Sequence, residues 1–117
     1  MKQLTITEKF ILADALTDII NDARKSGVNR PELVGILTKI SPPKLFTVWT
    51  VECDRYDRNY LVCAEDKTDA RRLIQRGGEG KVQSVNLVDA EFMIDFNFNE
   101  EEIPTEAGSW HLYDEGT

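Results

Sequence analysis

The segment Gly78-Glu79-Gly80-Lys81 ends in the glycine-lysine pair of a phosphate-binding loop. Such a loop cradles phosphate oxygens on backbone N–H groups, places its lysine on the terminal phosphates and holds Mg2+ with a following hydroxyl. Two parts of that pattern are missing. Position 75, where the first glycine belongs, is Gln75, and Val82 stands where the hydroxyl residue would follow Lys81. The segment also leaves a helix instead of joining a strand to one, so it reads as a helix-stop turn. Cys53, Cys63 and His111 are the other candidates for metal or nucleophile chemistry. Three such ligands fall short of the four a structural zinc takes, and no serine or cysteine close in sequence partners His111 as a nucleophile. Carboxylate pairs suit glycoside hydrolysis, but with 21 Asp and Glu residues some pairs are inevitable and spacing singles out none. No catalytic residue, cofactor or metal is expected, and the chain reads as a non-enzyme.

The acidic C-terminal stretch is the feature that rises above background. Glu100, Glu101 and Glu102, then Glu106, Asp114 and Glu115, surround Trp110 and Tyr113. Aromatic anchors beside a field of one sign suit docking onto a basic protein. Between Gly77 and Thr117 only Lys81 is basic, against ten acids. The first 44 residues carry seven basic and five acidic groups, and residues 45–76 carry six of each. The C-terminal field repels phosphate backbones, so direct nucleic-acid binding there is disfavoured. The plainer alternative is a solvated tail in which Trp110 closes the core.

The chain has 117 residues, a net charge of −7, 41% hydrophobic and 30% charged residues. That length and balance predict a soluble single domain over 1–117, large enough to bury a core without cross-links. No apolar run approaches a membrane span, the N-terminus does not resemble a signal peptide, and two cysteines make no disulfide scaffold. A cytoplasmic protein is the expectation.

The elements that would position these residues emerge from hydrophobic period. Thr5 and Glu8 have capping-box spacing, and Ile6, Phe10, Ala13, Leu16, Ile20 and Ala23 recur every three or four residues. Ile11, Leu12, Ala15 and Ile19 widen that stripe, Asp14, Asp18 and Asp22 line the other side, and Gly27 stops the helix. A first helix is predicted over about Ile6 to Ser26. Asn29 as cap, Pro31 in the first turn and the stripe Leu33, Ile36, Leu37 and Ile40 predict a second, ended by Pro42 and Pro43. Together they form a helical hairpin over 1–43. It superficially resembles a helix-turn-helix, but its second helix has Arg30, Lys39 and Lys44 at its ends and mostly apolar residues between.

The period then falls to two. Strands are predicted over Phe46 to Asp54 and Asn59 to Ala64, joined by the loop Arg55-Tyr56-Asp57-Arg58. An even loop centred on Tyr56 and Asp57 sets Cys53 opposite Tyr60 and Cys63 opposite Thr50, with the thiols on opposite faces, whereas an odd loop could bring them together. Asp66 caps a third helix in which Ala70, Leu73 and Ile74 face inward, stopped by Gly77 and Gly78. Strands come next over Val82 to Val88 and Glu91 to Phe98, the latter from the alternation of Phe92, Ile94, Phe96 and Phe98. An acidic loop, 99–109, leads to a short edge strand from Trp110 to Tyr113. The fold class is therefore α+β, with the hairpin followed by an antiparallel ββαββ core over 44–98 and one helix packed on it.

The run from Phe46-Thr-Val-Trp-Thr-Val to Tyr60-Leu-Val-Cys-Ala-Glu-Asp-Lys-Thr-Asp-Ala-Arg-Arg-Leu-Ile74 resembles small proteins encoded by phages and prophages. The shared feature is a strand ending Val-x-Ala-Glu, then a capped helix with Ala-Arg-x-Leu. The resemblance covers roughly a quarter of the chain, without the N-terminal hairpin, and implies a small phage accessory protein. That group includes inhibitors of host defence such as anti-CRISPR proteins, many of them acidic and acting on a nucleic-acid-binding surface. The leading expectation is a protein-binding inhibitor whose acidic face docks on a basic host protein. The alternative is a small DNA-associated regulator using the N-terminal helices.

Overall fold

The computed structural model describes residues 3–53, 56–77 and 80–115. In chain order these form α1 (Ile6–Lys25), α2 (Pro31–Ile40), β1 (Leu45–Glu52), β2 (Tyr56–Cys63), α3 (Lys67–Gly77), β3 (Lys81–Leu87), α4 (Ala90–Phe96), a 3-10 turn (Glu100–Glu102) and β4 (Trp110–Glu115). The class is α+β. The chain divides into two compact units: a helical unit of Met1–Pro42 with Asp89–Asn97, and a sheet unit of Pro43–Val88 with Phe98–Thr117.

In the helical unit, α1 begins where its caps dictate. The Glu8 N–H donates to Thr5 Oγ1 at 3.1 Å and the Thr5 N–H to Glu8 Oε1 at 2.8 Å, satisfying two orphan donors reciprocally. It ends in a Schellman turn: Gly27, at φ +77°, donates to the Arg24 carbonyl and Val28 to that of Ala23. Ile6, Phe10, Ala13 and Ile20 are buried as expected, but Ile11, Leu12, Ala15 and Ile19 are exposed, so half of the wide apolar arc is uncovered. α2 starts at Pro31 with Arg30 as its N-cap and no side-chain cap bond, which corrects the assignment of Asn29. It packs on α1 yet buries none of its ten residues.

The expected strand from Glu91 to Phe98 is instead the helix α4, which also packs on α1. Asp89 accepts the Phe92 N–H at 2.9 Å as N-cap, and Asn97 closes the helix in the left-handed region at φ 49°. Helical period buries Ala90 and Met93 and stacks Phe92 on Phe96 at 4.7 Å, leaving Ile94 and Phe96 exposed. The ββαββ order is therefore corrected to ββαβαβ, and residues 89–97 belong to the helical unit instead of the sheet core.

The sheet is antiparallel in the order β3-β1-β2-β4. β2 and β3 flank β1 and run parallel, which is why a helix connects them. α3 covers one face. Phe46 and Val48 of β1, Tyr60 and Val62 of β2 and Val82 of β3 meet Ala70 and Ile74 beneath it, with Leu73, Val85 and Leu112 packed against them. Asp66 caps α3 as expected, accepting the Asp69 N–H at 2.7 Å; of its two expected stop glycines, Gly77 is the last helical residue and Gly78 lies outside the described residues. The β1–β2 register corrects the expected loop. Glu52 pairs with Tyr56, so Tyr56, Asp57 and Arg58 belong to β2. Cys53 directly follows β1 and Cys63 stands at the far end of β2, opposite Leu45. About 23 Å of strand at 3.3 Å per residue lies between them, so the odd loop does not unite the thiols and both are free.

Candidate protein-binding surface

The acidic segment is ordered by its own hydrogen bonds and then seated on the sheet. In the 3-10 turn, Glu102 N–H donates to the Asn99 carbonyl at 2.9 Å while Asn99 Nδ2 donates back to Glu102 Oε1 at 2.9 Å. Ile103 and Pro104 are buried and anchor the loop that leads to β4. Gly108, at φ +91°, donates to the Cys63 carbonyl and Cys63 donates to that of Ser109, both at 2.9 Å, which seats the chain beside β2. β4 then pairs with β2 as the edge strand, running to Glu115 where Tyr113 was the expected end.

Strand alternation decides where the expected partner-binding residues point. Trp110 is opposite Val62, on the face covered by α3. Its ring meets Tyr60 edge-on at 5.2 Å, and a Cβ on Gly77 would lie 3.3 Å from its Nε1. Although 39% exposed, Trp110 is held as a cover on the core instead of projecting as an anchor. His111 is opposite Leu61 on the other face, with Nε2 3.9 Å from Glu102 Oε2. Tyr113 sits in the bulge between the Asn59–Asp114 and Tyr60–Leu112 pairs and packs edge-on against Phe98 at 5.4 Å. Loss of hydration there, with the Asp114 charge beside it, pushes its phenol up to about 12.

The carboxylates differ in the same way. Glu115 accepts from Arg58 Nε at 3.4 Å, while Arg58 Nη1 holds Glu52 at 2.7 Å, so one guanidinium ties β1, β2 and β4 together. Glu102 is engaged by Asn99 and His111. Glu100, Glu101, Glu106 and Asp114 are exposed. Of the eight expected residues, these four and Glu115 are exposed carboxylates, and Trp110, Tyr113 and Glu102 build their support.

Two features escaped the sequence reading. A cavity of about 390 Å3 between α3 and β3 is lined by Lys67, Thr68, Arg71, Gln83, Ser84 and Val85, with two cations and no carboxylate. The signal was present as basic residues at i and i+4, Lys67 and Arg71. β3 and β4 are opposite edges of the sheet, so these two cations line the edge away from β4. A second cavity of about 400 Å3 lies under the β1–β2 turn, among Val51, Glu52, Cys53, Gly80, Lys81 and Gln83. The glycine-lysine segment contributes Gly80 and Lys81 to it; Gly78 and Glu79 lie outside the described residues.

The remaining chemistry is sparse among the described residues. No group of three or more His, Cys, Asp or Glu is placed to hold a metal, and no helix is long and apolar enough to cross a membrane. α2 presents Val34 and Ile36 to solvent, where a groove-reading helix needs basic and amide side chains. No protein-family profile, curated protein or solved structure matches the chain.

Proposed function

We propose that this protein is a non-enzymatic binding module that docks the acidic β4 edge of its sheet unit onto a basic, nucleic-acid-binding partner, in the manner of a phage-encoded inhibitor of host defence. The observation that carries this reading is the separation of charge: Glu100, Glu101, Glu106 and Asp114 are exposed at the β4 edge, while Lys67 and Arg71 line the groove at the β3 edge. A unit polarised in this way turns its acidic edge toward a cationic surface during approach, and carboxylates stand in for the phosphates that surface normally binds. The supporting contacts of Glu102, Glu115, Trp110 and Tyr113 hold the acidic edge in one shape, which lowers the cost of ordering it on binding.

The test is capture of partners from bacterial lysate with washes at low and high salt, followed by affinity measurement with whatever is retained. A nucleic-acid-binding protein released by high salt is expected. The double variant Glu100→Lys/Glu101→Lys should bind at least about tenfold more weakly, and Lys67→Glu/Arg71→Glu on the opposite edge should not. Equal affinity of the first variant and the unmodified protein removes the electrostatic reading. Recovery of DNA instead of protein moves the weight to a regulator.

A further inference from the structure

We infer that the groove between α3 and the β3 edge is an anion site that takes a small phosphate monoester, such as the phosphate end of a nucleotide. This ligand is separate from the protein partner proposed for the β4 edge. The groove, about 390 Å3, is lined by Lys67, Thr68, Arg71, Gln83, Ser84 and Val85. These are two cations, two hydroxyls, an amide and one apolar side chain, in a volume within the ~300–1,000 Å3 of small-molecule sites.

Helical geometry places both cations on the β3 side of α3. Lys67, Arg71 and Ile74 follow at steps of four and three, so they share one flank, and Ile74 is packed in the core beneath the helix. The acids of this end of α3 do not line the groove. Asp66 accepts the Asp69 N–H as N-cap, and Asp69 is paired with Arg72. Among the described residues, Lys67 and Arg71 have no ion pair, and the Thr68 and Ser84 hydroxyls have no hydrogen bond, so all four are available to a ligand. The strand side of the groove is shaped by a β-bulge. Trp49 pairs with Ser84 and Thr50 with Val82, so Gln83 is an extra residue on β3 with no partner on β1. Bulges re-aim side chains, and they also disrupt an edge that would otherwise accept an added strand. The groove is therefore suited to a ligand held by side chains and not to an extended peptide.

Charge selects among anions. Two cations one helical turn apart match the nearly two charges of a phosphate monoester at neutral pH, and the Arg71 guanidinium can grip two of its oxygens at once. Thr68 and Ser84 can donate to the remaining oxygens, which leaves the Gln83 amide for the group that carries the phosphate. A nucleic-acid strand needs a track of cations and meets a chain of net charge −7. A small dianion responds instead to the charges within a Debye length, ~8 Å at physiological salt.

Amide NMR of the full chain tests this, with AMP, ribose 5-phosphate and inorganic phosphate as probes and adenosine as the uncharged control. AMP should shift the resonances of Lys67, Thr68, Arg71 and Ser84 and saturate with a Kd on the order of 1 mM or tighter. Ribose 5-phosphate and inorganic phosphate should shift the same residues, their order of affinity showing how much of the carrier the groove reads. Lys67→Gln/Arg71→Gln, at exposed positions, should keep the rest of the spectrum and weaken AMP at least about tenfold. Arg76→Gln, on the same helix but outside the groove, should change the affinity less than about twofold. No saturable shift with any of the three phosphates, shifts that survive the double variant, equal binding of adenosine, or tighter binding of a short DNA strand lacking a terminal phosphate would overturn the proposal.

Discussion

In the sheet unit, Leu45, Val48, Leu61 and Val62 have no exposed surface, whereas α2 in the helical unit buries none of its residues. Among the described residues, nine of the thirteen exposed large hydrophobics lie in the helical unit, which is the smaller of the two. The physical cause is geometric. A strand offers alternate residues to each face, so α3 alone covers a compact patch drawn from three strands. A helix offers a curved arc, and α1 has apolar residues on more of its circumference than α2 and α4 cover. Apolar content and apolar burial are thus different quantities, and the sheet unit has the better ratio of the two.

The largest expected effect is on the side that buries well. Ile74→Ala beneath the sheet should cost about 3 kcal/mol in urea unfolding, since the cavity left at a fully enclosed site adds to the lost transfer energy. Ile36→Ala on α2, at 46% exposure, should stay within about 0.5 kcal/mol. Equal costs would break the contrast. Next comes Gly80→Ala, expected to cost about 1–3 kcal/mol. That residue has φ +91°, and a Cβ there would sit 3.0 Å from the Val51 carbonyl oxygen, so both torsion and space resist a side chain. Thr5→Ala and Asp66→Ala should each cost about 1 kcal/mol, read as faster amide exchange in α1 and α3 respectively. Similar values would sharpen the comparison, because they place the difference between the units in burial and not in local helix signals.

The smallest effect is confined to alkaline pH. Tyr113 has its phenol raised to about 12 in the folded chain, against about 10 unfolded. The folded state thus holds the proton more tightly. This contribution is complete below pH 10 and is lost as pH climbs from 10 toward 12. Tyr113→Phe should remove the highest-pH step from an absorbance titration at tyrosinate wavelengths and flatten the loss of stability over that range.

Much of the fold was legible because several local signals agreed. In α1 the capping box, the three-four spacing and the terminal glycine all gave one answer, and in α3 Asp66 and the inward Ala70, Leu73 and Ile74 did the same. The run from Glu91 to Phe98 satisfies both periods: Phe92, Ile94 and Phe96 alternate, while Phe92 and Phe96 are also four apart. Asp89 and Asn97, as caps at its two ends, decide for helix, and alternation alone could not weigh them. The β1–β2 register was illegible for a different reason. Tyr56 and Arg58 fit a strand as readily as a loop, and Cys53 leaves β1 at φ 52°, which composition does not announce. For the acidic segment, the residue list was flat. Once 110–115 is a strand, Trp110 and His111 must point to opposite faces, so a cluster that is contiguous along the chain is divided across the sheet.

The interleaving of the two units sets how the molecule can be made and cut. The helical unit is opened by the insertion of Pro43–Val88 and resumes at Asp89–Asn97, and the sheet unit waits in turn for Phe98–Thr117. On the ribosome, α1 and α2 emerge about fifty residues before α4, and β1 and β2 are synthesised well before β4, which must join the edge of β2. Closure of both units is therefore a late event dominated by long-range contacts, which places the chain among slower folders for its size. It also means that no single scission parts the two units intact: a cut after Pro42 leaves the sheet unit whole but takes Asp89–Asn97 from the helical one, and a cut after Asn97 does the reverse.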